Sequence, residues 1–274
     1  MDHGLGEGSF APLAAAFFVA LLTLLEGGVR IARRETYDVP SAATSLFLAC
    51  GRRLGDRAPL WLTLPFAGWF FAHRIVTLPD AWWSWLLLLV GLELGHYTSH
   101  RAAHRMRWLW ASHAVHHSSS ELTLAAAYRL GWTGRLTMTL SFFAPLALLG
   151  FAPERILAVY TLTLIYQVWL HAAWIPPLPW IEGILNTPAA HRVHHANAPA
   201  YRDKNFGGMT LIFDRLFGTY AAERSEIETT YGWASPQEAR RPLYVLIQPY
   251  RELAAHVRAA RSVRALALAL FGPP

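Results

Sequence analysis

Three histidine clusters constrain this chain more than any other feature of its sequence. They are His100 and His104; His113, His116 and His117; and His191, His194 and His195. On a helix, residues three or four apart share a face, so each cluster is predicted to direct two or three imidazoles at one point. Neutral imidazole is a good ligand for iron, zinc, copper or nickel. Because one zinc ion takes only about four protein ligands, so many histidines suit two ions held close together.

The composition favours an integral membrane protein. Hydrophobic residues make up 54% of the chain and charged residues only 15%, which is more apolar than a typical soluble domain. The 12 tryptophans and 10 tyrosines suit aromatic belts at the membrane interfaces. The net charge of +6 then favours anionic lipid headgroups over nucleic acid as a partner. The single cysteine, Cys50, excludes an intramolecular disulfide and a thiolate metal site, so the metal ligands must be nitrogen and oxygen donors.

Five apolar segments are predicted to enter the membrane. They lie near residues 10–25, 60–76, 81–95, 136–150 and 156–171. Each is short for a membrane span, so the hairpins are expected to tilt or to cross incompletely. The two short connections between them would share one side, and the arginine-rich histidine segments would share the cytoplasmic side. The sequence therefore predicts an all-α integral membrane bundle of four to five helices or hairpins with a cytoplasmic, histidine-rich helical cap.

Three segments are predicted along the chain. Residues 1–59 would form an N-terminal membrane helix and an interfacial segment, and residues 60–231 the domain that holds the hairpins and the histidines. Residues 232–274 would form an amphipathic tail. The stretch from Arg251 to Phe271 is predicted to be one basic amphipathic helix, which either lies on the membrane or packs on the domain.

Further polar residues are candidates for the metal centre or for contacts that orient its ligands. They are Glu93, His96, Gln167, Asp203, Asn205 and Asp214. Glu93 and His96 lie on the helical stripe of His100, so His96 is either a third ligand or a buried hydrogen-bond donor. Glu93 suits an acceptor that orients a ligand imidazole. Asp203 and Asn205 are predicted to lie in a turn.

The predicted roles of His171 and Asp214 follow from the residues next to them in the sequence. His171 follows Gln167 by four residues at the end of an apolar segment, so both can face a metal centre, and His171 is predicted to be a ligand. Asp214 is followed by Arg215. These two residues are predicted to form either an ordinary ion pair or an anchor for the metal ligands.

These motifs resemble those of the fatty acid hydroxylase/sterol desaturase superfamily of membrane di-iron enzymes. The similar stretches are H-R-A-A-H, L-W-A-S-H-A-V-H-H-S-S, N-T-P-A-A-H-R-V-H-H, Y-R-D-K-N-F-G-G and D-R-L-F-G-T-Y. The resemblance runs from about Glu93 to Tyr220 and is nearest to bacterial sterol-desaturase-like proteins similar to alkylglycerol monooxygenase. A Q-x-x-x-H motif typical of that branch is matched by Gln167 and His171. The chain departs from the family pattern at Glu93, usually aspartate, and at His96, usually aromatic.

The resemblance implies both a ligand set and a reaction. The implied metal ligands are His100, His104, His113, His116, His117, His171, His191, His194 and His195. The implied enzyme hydroxylates an unactivated C–H bond of a lipid with two iron ions, dioxygen and two electrons from an external donor. A metal cofactor is required because no side chain performs this oxidation. The site would face the cytoplasm at a bacterial inner membrane, with the lipid entering from the bilayer.

Three other functions stay open at this point. One is a desaturase on the same scaffold. The second is a zinc-dependent membrane hydrolase, which would need a carboxylate base beside a metal with an open position, although the sequence has no H-E-x-x-H motif. The third is a membrane protein that binds metal without being an enzyme.

Overall fold

The computed structural model describes residues 10–55, 57–134 and 140–274. These residues form helices and isolated β-bridges without an extended strand, which confirms the predicted all-α fold. The α-helices are α1 (Phe10–Ala32), α2 (Val39–Gly55), α3 (Arg57–Ala72), α4 (Trp82–Arg105), α5 (Arg107–His113), α6 (Leu140–Leu148), α7 (Pro153–Val168), α8 (Pro188–His195), α9 (Ile212–Leu216), α10 (Pro236–Ala239), α11 (Pro242–Ala259) and α12 (Val263–Phe271). Short 3-10 turns occupy His116–Ser118, Leu124–Tyr128, Trp169–His171 and Pro199–Tyr201. The start of the predicted 136–150 segment lies outside the described residues.

Helix α4 carries the chain from the far end of the molecule to the first histidine cluster. Its 24 residues correspond to a length of about 36 Å at 1.5 Å per residue. The helix therefore continues past the predicted 81–95 segment and includes His100 and His104 on its last turns. It ends where Met106 adopts an extended backbone, with φ −129° and ψ 117°, and α5 follows at once.

The two short connections meet at the end of the molecule opposite the histidines. The Ile75 amide donates to the Leu148 carbonyl oxygen over 2.8 Å, and Arg155 Nη2 donates to Ser84 Oγ over 2.7 Å. Helices α4 and α7 thus begin side by side and run in the same direction towards the clusters. A hydrophobic core of Leu88, Leu92, Phe143, Leu146, Phe151 and Val159 joins them. This arrangement agrees with the predicted pairing of the two connections on one side.

Gly150 closes this end of the molecule, and we expect it to be required for stability. Its φ is +97°, and a Cβ there would lie 2.3 Å from the Val76 carbonyl oxygen. Gly150→Ala should therefore lower the free energy of unfolding by about 2 kcal/mol or more through strain and steric conflict. Gly68→Ala in α3 is the control, because no atom lies within 4 Å of its Cβ position. Denaturant unfolding that finds Gly150→Ala as stable as Gly68→Ala would contradict this expectation.

Several helices expose apolar faces. Exposed side chains on α4 include Trp82, Leu86, Leu87 and Val90, and those on α7 include Leu157, Leu162 and Ile165. Trp82 alone is 75% exposed. Large contiguous apolar patches are rare on soluble monomers and mark contact with a partner or a membrane. Within the described part of the chain, no helix combines the length and the apolarity that crossing a bilayer requires.

The tail differs from the predicted single amphipathic helix. Helix α11 ends at Ala259, and α12 begins at Val263 after a short break. The break is stabilised by Ser262, whose Oγ accepts a hydrogen bond from the Ala265 amide over 3.1 Å. Serine favours such an N-cap because its hydroxyl satisfies an amide that has no partner inside the helix.

A second core brings the three predicted segments together. It is formed by Leu48 of α2, Val115 near the second cluster, and Val245 and Leu246 of α11. Residues from 1–59, from 60–231 and from 232–274 therefore pack against one another around the histidine-bearing part. The boundaries between the three segments stay a prediction.

Candidate metal centre

The nine predicted histidine ligands lie in two neighbouring groups. The five-histidine site contains His100, His104, His113, His117 and His194, and the four-histidine site contains His116, His171, His191 and His195. Within each site, one ring nitrogen of every member lies within 4.8 Å of the others. The sites share a wall, because the rings of His117 and His195 stack with their centroids 4.3 Å apart.

Each sequence cluster places two imidazoles in one site, as predicted, and the third member of the second and third clusters enters the other site. His113 and His117 enter the five-histidine site, whereas His116 enters the other. On a helical backbone, positions i+3 and i+4 differ by about 100° around the axis, so an i, i+4 pair can share a site that the i+3 residue leaves. In the third cluster, His191 and His195 share a site and His194 leaves it in the same way.

The local backbone explains how these segments present their histidines. Helix α8 begins at Pro188, and the preceding Thr187 accepts the Ala190 amide at its Oγ1 over 3.2 Å. This cap confirms the predicted helix start. His171 lies on a 3-10 turn that follows α7 directly. His116 lies on another 3-10 turn, which continues the course of α5 after two turn residues.

The spacing of nitrogen atoms in the five-histidine site fits a shared cation. The Nε2 atom of His113 lies 3.0 Å from that of His100 and 3.1 Å from that of His117. The His117 Nε2 lies 3.2 Å from the His194 Nε2. Two nitrogens bound to one ion at about 2.1 Å would be about 3.0 Å apart at a right angle and about 3.4 Å apart at a tetrahedral angle.

The four-histidine site has the same spacing. The Nε2 atom of His191 lies 3.1 Å from that of His195 and 3.2 Å from that of His171. The His171 Nε2 lies 3.4 Å from the His116 Nε2. Imidazole lone pairs that face each other at these distances repel, and a cation between them removes the repulsion. Both sites therefore suit a transition-metal ion.

Backbone carbonyl groups set the orientation of four of these rings. The Nδ1 atoms of His100 and His194 lie 2.9 Å from the carbonyl oxygens of Phe206 and Lys204. Those of His116 and His171 lie 3.2 Å from the carbonyl oxygens of Arg129 and Gln167. A carbonyl oxygen only accepts, so the proton belongs on Nδ1 and the Nε2 lone pair is free to bind a metal. The sequence gives no signal for these acceptors, because any residue type supplies a carbonyl.

His104 completes the five-histidine site in a different way. Its buried Nε2 has no hydrogen-bond partner, as expected of a nitrogen reserved for an ion. Its Nδ1 lies 4.0 Å from the Asp203 carboxylate, which also pairs with Arg105 over 2.8 Å. The predicted candidate Asp203 therefore lies behind a histidine rather than among the nitrogen atoms.

The electrostatics keep the clustered histidines neutral. Burial lowers the pKa of His194 to about 4, and burial together with neighbouring imidazoles lowers the pKa of His113 and His117 well below the usual value. At neutral pH these rings are uncharged, which is the form that binds metal.

Comparison with known proteins agrees with this geometry. Residues 85–219 match the fatty acid hydroxylase family model, and that range includes all nine histidines. The matched residues are therefore related to the fatty acid hydroxylase/sterol desaturase superfamily. The predicted resemblance is confirmed, and members of this hydroxylase family are iron-dependent.

The names of several relatives of this chain describe enzymes that act on lipids. It is 42% identical to alkylglycerol monooxygenase of Danio rerio over 158 residues, which are 57% of this chain and 34% of the relative. It is 38% identical to alkylglycerol monooxygenase of Homo sapiens over 175 residues, 63% of this chain and 38% of the relative. It is 31% identical to ornithine lipid hydroxylase OlsE of Rhizobium tropici over 145 residues, 52% of this chain and 44% of the relative. The chain thus spans less than half the length of these relatives, and no solved structure matches it significantly.

Two of the predicted acidic candidates, Glu93 and Asp214, bind backbone amides of a loop beside the histidine sites. The Glu93 carboxylate accepts from the amides of Met209 and Thr210, with a shortest distance of 2.7 Å, and does not orient an imidazole as predicted. Asp214 accepts from the amides of Phe206 and Gly207, both over 2.8 Å. Because the Phe206 carbonyl is the acceptor for His100, Asp214 fixes that ligand through the backbone.

Asp214 and Arg215 do not form the ion pair that was one of the two predictions. Arg215 instead donates to the Gly183 carbonyl oxygen and covers the ring of Tyr220. Consecutive residues of a helix point in different directions, so Asp214 turns inward while Arg215 lies at the edge. The alternative prediction, an anchor, agrees with the contacts.

The remaining candidates lie around the sites without joining either group. His96 packs with its ring centroid 5.4 Å from that of His100. The side chain of Gln167 donates to the Thr163 carbonyl oxygen over 3.2 Å. Gln167 contacts His171 only through its backbone carbonyl oxygen. Asp203 and Asn205 have φ of +59° and +55°, which confirms the predicted turn. Asn205 Nδ2 donates to the carbonyls of Ala190 and Ala221 and ties the turn to α8.

A cleft of about 620 Å³ adjoins the chain segments of the four-histidine site. Ser120 and Glu121 line it shortly after the second cluster, and Trp174 lines it three residues after His171. Tyr231 also lines it and forms a β-bridge with Ala196, the residue after His195. Two segments that carry histidines of this site, and a third that pairs with the residue after His195, therefore form the cleft, whose size is that of an ordinary ligand pocket.

Proposed function

We propose that this chain is a membrane-associated monooxygenase that hydroxylates a lipid with dioxygen at two iron ions. The observation that carries the proposal is the pair of adjacent all-imidazole sites whose Nε2 atoms lie 3.0–3.4 Å apart. The match to the fatty acid hydroxylase family model supports iron as the metal. The names of the relatives, alkylglycerol monooxygenase and ornithine lipid hydroxylase, support a lipid substrate.

The five-histidine site would hold one ion and the four-histidine site the other. When bound, the irons supply activation of dioxygen and oxidation of an unactivated C–H bond, with two electrons from an external donor. The chain itself fixes the ligand rings through the carbonyl oxygens of Phe206, Lys204 and Arg129. Phe206, which is fully buried, covers the rings of His100 and His104 and excludes water from that side.

The surface around the sites suits a substrate with an apolar chain and a polar end. The exposed apolar faces of α4 and α7 lead towards the histidine end and would contact acyl chains or the bilayer. The polar end would enter the cleft beside the four-histidine site. Trp174 stands at this cleft with 65% of its surface exposed, and its Nε1 donates to Glu26 over 3.2 Å. We place the histidine end at the cytoplasmic face, because Arg101, Arg105 and Arg107 lie there.

Oxidation fits the sites better than hydrolysis does. Both groups found among the described residues consist of histidines alone, so neither contains the carboxylate base that a zinc hydrolase needs. The nearby carboxylates of Glu93 and Asp214 are already engaged by backbone amides. A desaturase on the same scaffold is the remaining alternative, and the chain has 25% identity to a Δ7-sterol 5(6)-desaturase over 175 residues.

The decisive experiment follows oxygen atoms into the lipid. Iron-loaded protein in mild detergent, given a chemical reductant, ¹⁸O₂ and a membrane lipid extract, should yield a lipid heavier by one ¹⁸O atom. A lipid with a new double bond and no label would indicate the desaturase. A product that forms without dioxygen would contradict the proposal and favour the hydrolase. Protein without iron is the control and should yield no product.

A further inference from the structure

Among the described residues, no carboxylate hydrogen-bonds to the buried guanidinium of Arg129. Its exposed fraction is 0%. Its Nε donates to Ser45 Oγ over 3.0 Å, its Nη1 to Ser118 Oγ over 2.9 Å, and its Nη2 to Ser41 Oγ over 2.7 Å. All of these acceptors are neutral. The nearby carboxylate of Asp38 pairs with Arg240 instead, over 2.9 Å.

A buried guanidinium without a counter-charge is costly, so its retention points to a role. Burial lowers the pKa of Arg129 to about 10, and the group therefore stays positive at neutral pH. Four hydrogen bonds to serine residues compensate its lost hydration without cancelling its charge. The positive field consequently reaches the groups around it.

One of those groups is His116 of the four-histidine site. The Arg129 carbonyl oxygen accepts from His116 Nδ1 over 3.2 Å, and the guanidinium holds Ser118 two residues later. Arg129 thus holds both ends of the turn that presents His116, and it ties that turn to α2 through Ser41 and Ser45.

The five-histidine site has a carboxylate beside it instead of a cation. The Asp203 carboxylate lies 4.0 Å from His104 Nδ1 and also pairs with the exposed Arg105 over 2.8 Å. A carboxylate behind a ligand imidazole strengthens cation binding. A cation behind a ligand imidazole weakens cation binding by direct repulsion.

We propose that Arg129 is a positioning residue that makes the two metal sites inequivalent. It fixes His116, and its charge makes the four-histidine site the weaker of the two for a divalent cation. The ion in that site would also be the more easily reduced, since a nearby positive charge favours the lower oxidation state. This inference rests on the proposed two-ion function.

Ser45 offers a test in which two variants of the same size differ in charge. Its Oγ lies 3.0 Å from Arg129 Nε, so the carboxylate of Ser45→Asp would pair with the guanidinium and neutralise it. Ser45→Asn is the matched control, because it has the same size and still offers an oxygen acceptor. Purified apoprotein of each variant is titrated with Co²⁺, and the visible absorption of each bound ion gives two dissociation constants.

We expect two Co²⁺ ions to bind the wild-type chain with distinct affinities. Ser45→Asp should tighten the weaker site by about tenfold, as expected for removal of a unit charge close to a partly buried ion, and Ser45→Asn should not. Equal affinities in Ser45→Asp and Ser45→Asn, including loss of binding in both, would overturn the inference. Arg129→Lys provides a second test, because it retains the charge and should retain the weak site if folded.

The outcome is separable from that of the proposed function. Cobalt affinities that follow the charge at Ser45, combined with no labelled lipid from iron-loaded protein, would overturn the monooxygenase and leave this inference standing. Labelled lipid, combined with cobalt affinities that are equal in Ser45→Asp and Ser45→Asn, would support the monooxygenase and overturn this inference.

Discussion

Replacing His195 with alanine is expected to remove one iron per chain and to lower hydroxylation more than about 100-fold, since even the groups that support a metal ligand are each worth 10- to 100-fold. The four-histidine site would keep only His116, His171 and His191, so the ion loses one of its four nitrogen donors and is bound more weakly. His117→Ala should also abolish hydroxylation, but four histidines remain in its site, so more of its iron should be retained. Iron is measured by mass spectrometry and hydroxylation by the ¹⁸O-labelled product.

His256→Ala is the matched control for these substitutions. His256 is exposed on α11 and lies outside both histidine sites, so its loss should change neither iron content nor product. A His195→Ala protein that keeps the wild-type iron content and rate would show that the four-histidine site does not hold a catalytic metal.

The second large effect is expected at Asp214. Asp214→Ala should lower the free energy of unfolding by about 3–5 kcal/mol, because it leaves buried donors of Phe206, Gly207 and Thr219 without an acceptor. The Thr219 hydroxyl donates to this carboxylate over 2.7 Å, and the two amides do so over 2.8 Å. The Phe206 carbonyl would then lose its fixed position opposite His100, so iron content should fall as well. Denaturant unfolding and metal analysis of the same preparation check both effects.

Glu226→Ala is the control for the loss of a carboxylate. Glu226 is exposed, and surface substitutions usually change stability by less than about 0.5 kcal/mol. Asp214→Ala with the stability and iron content of Glu226→Ala would contradict the role of Asp214 as the residue that holds the loop behind His100.

The gathering of the nine histidines could be predicted from the sequence, whereas their partition between two sites could not. Imidazoles at i, i+3 and i+4 indicate metal binding in any helical segment. Which of His116 and His117 enters which site depends on how α5 meets α4 and α8, and these are contacts between distant parts of the chain. Helix α4 could be predicted in part, because the helical stripe that joins Glu93 and His96 to His100 runs past the end of the predicted 81–95 segment.

The residues that orient the ligands were the least predictable part. Phe206, Lys204 and Arg129 act through carbonyl oxygens, so their side chains give no indication of that contact. Glu93 shows the converse case, since its side chain suggested a partner for a histidine but binds the amides of Met209 and Thr210. Buried polar groups form hydrogen bonds in the folded chain, but the sequence does not predict which residue supplies each partner.

The iron content of the wild-type chain tests the central claim most directly. Protein purified in mild detergent from iron-supplemented cells is analysed for iron and zinc and for protein concentration. The five-histidine and four-histidine sites predict about two irons per chain, one for each all-imidazole site. One zinc per chain, or no metal, would contradict the di-iron centre and with it the proposed monooxygenase.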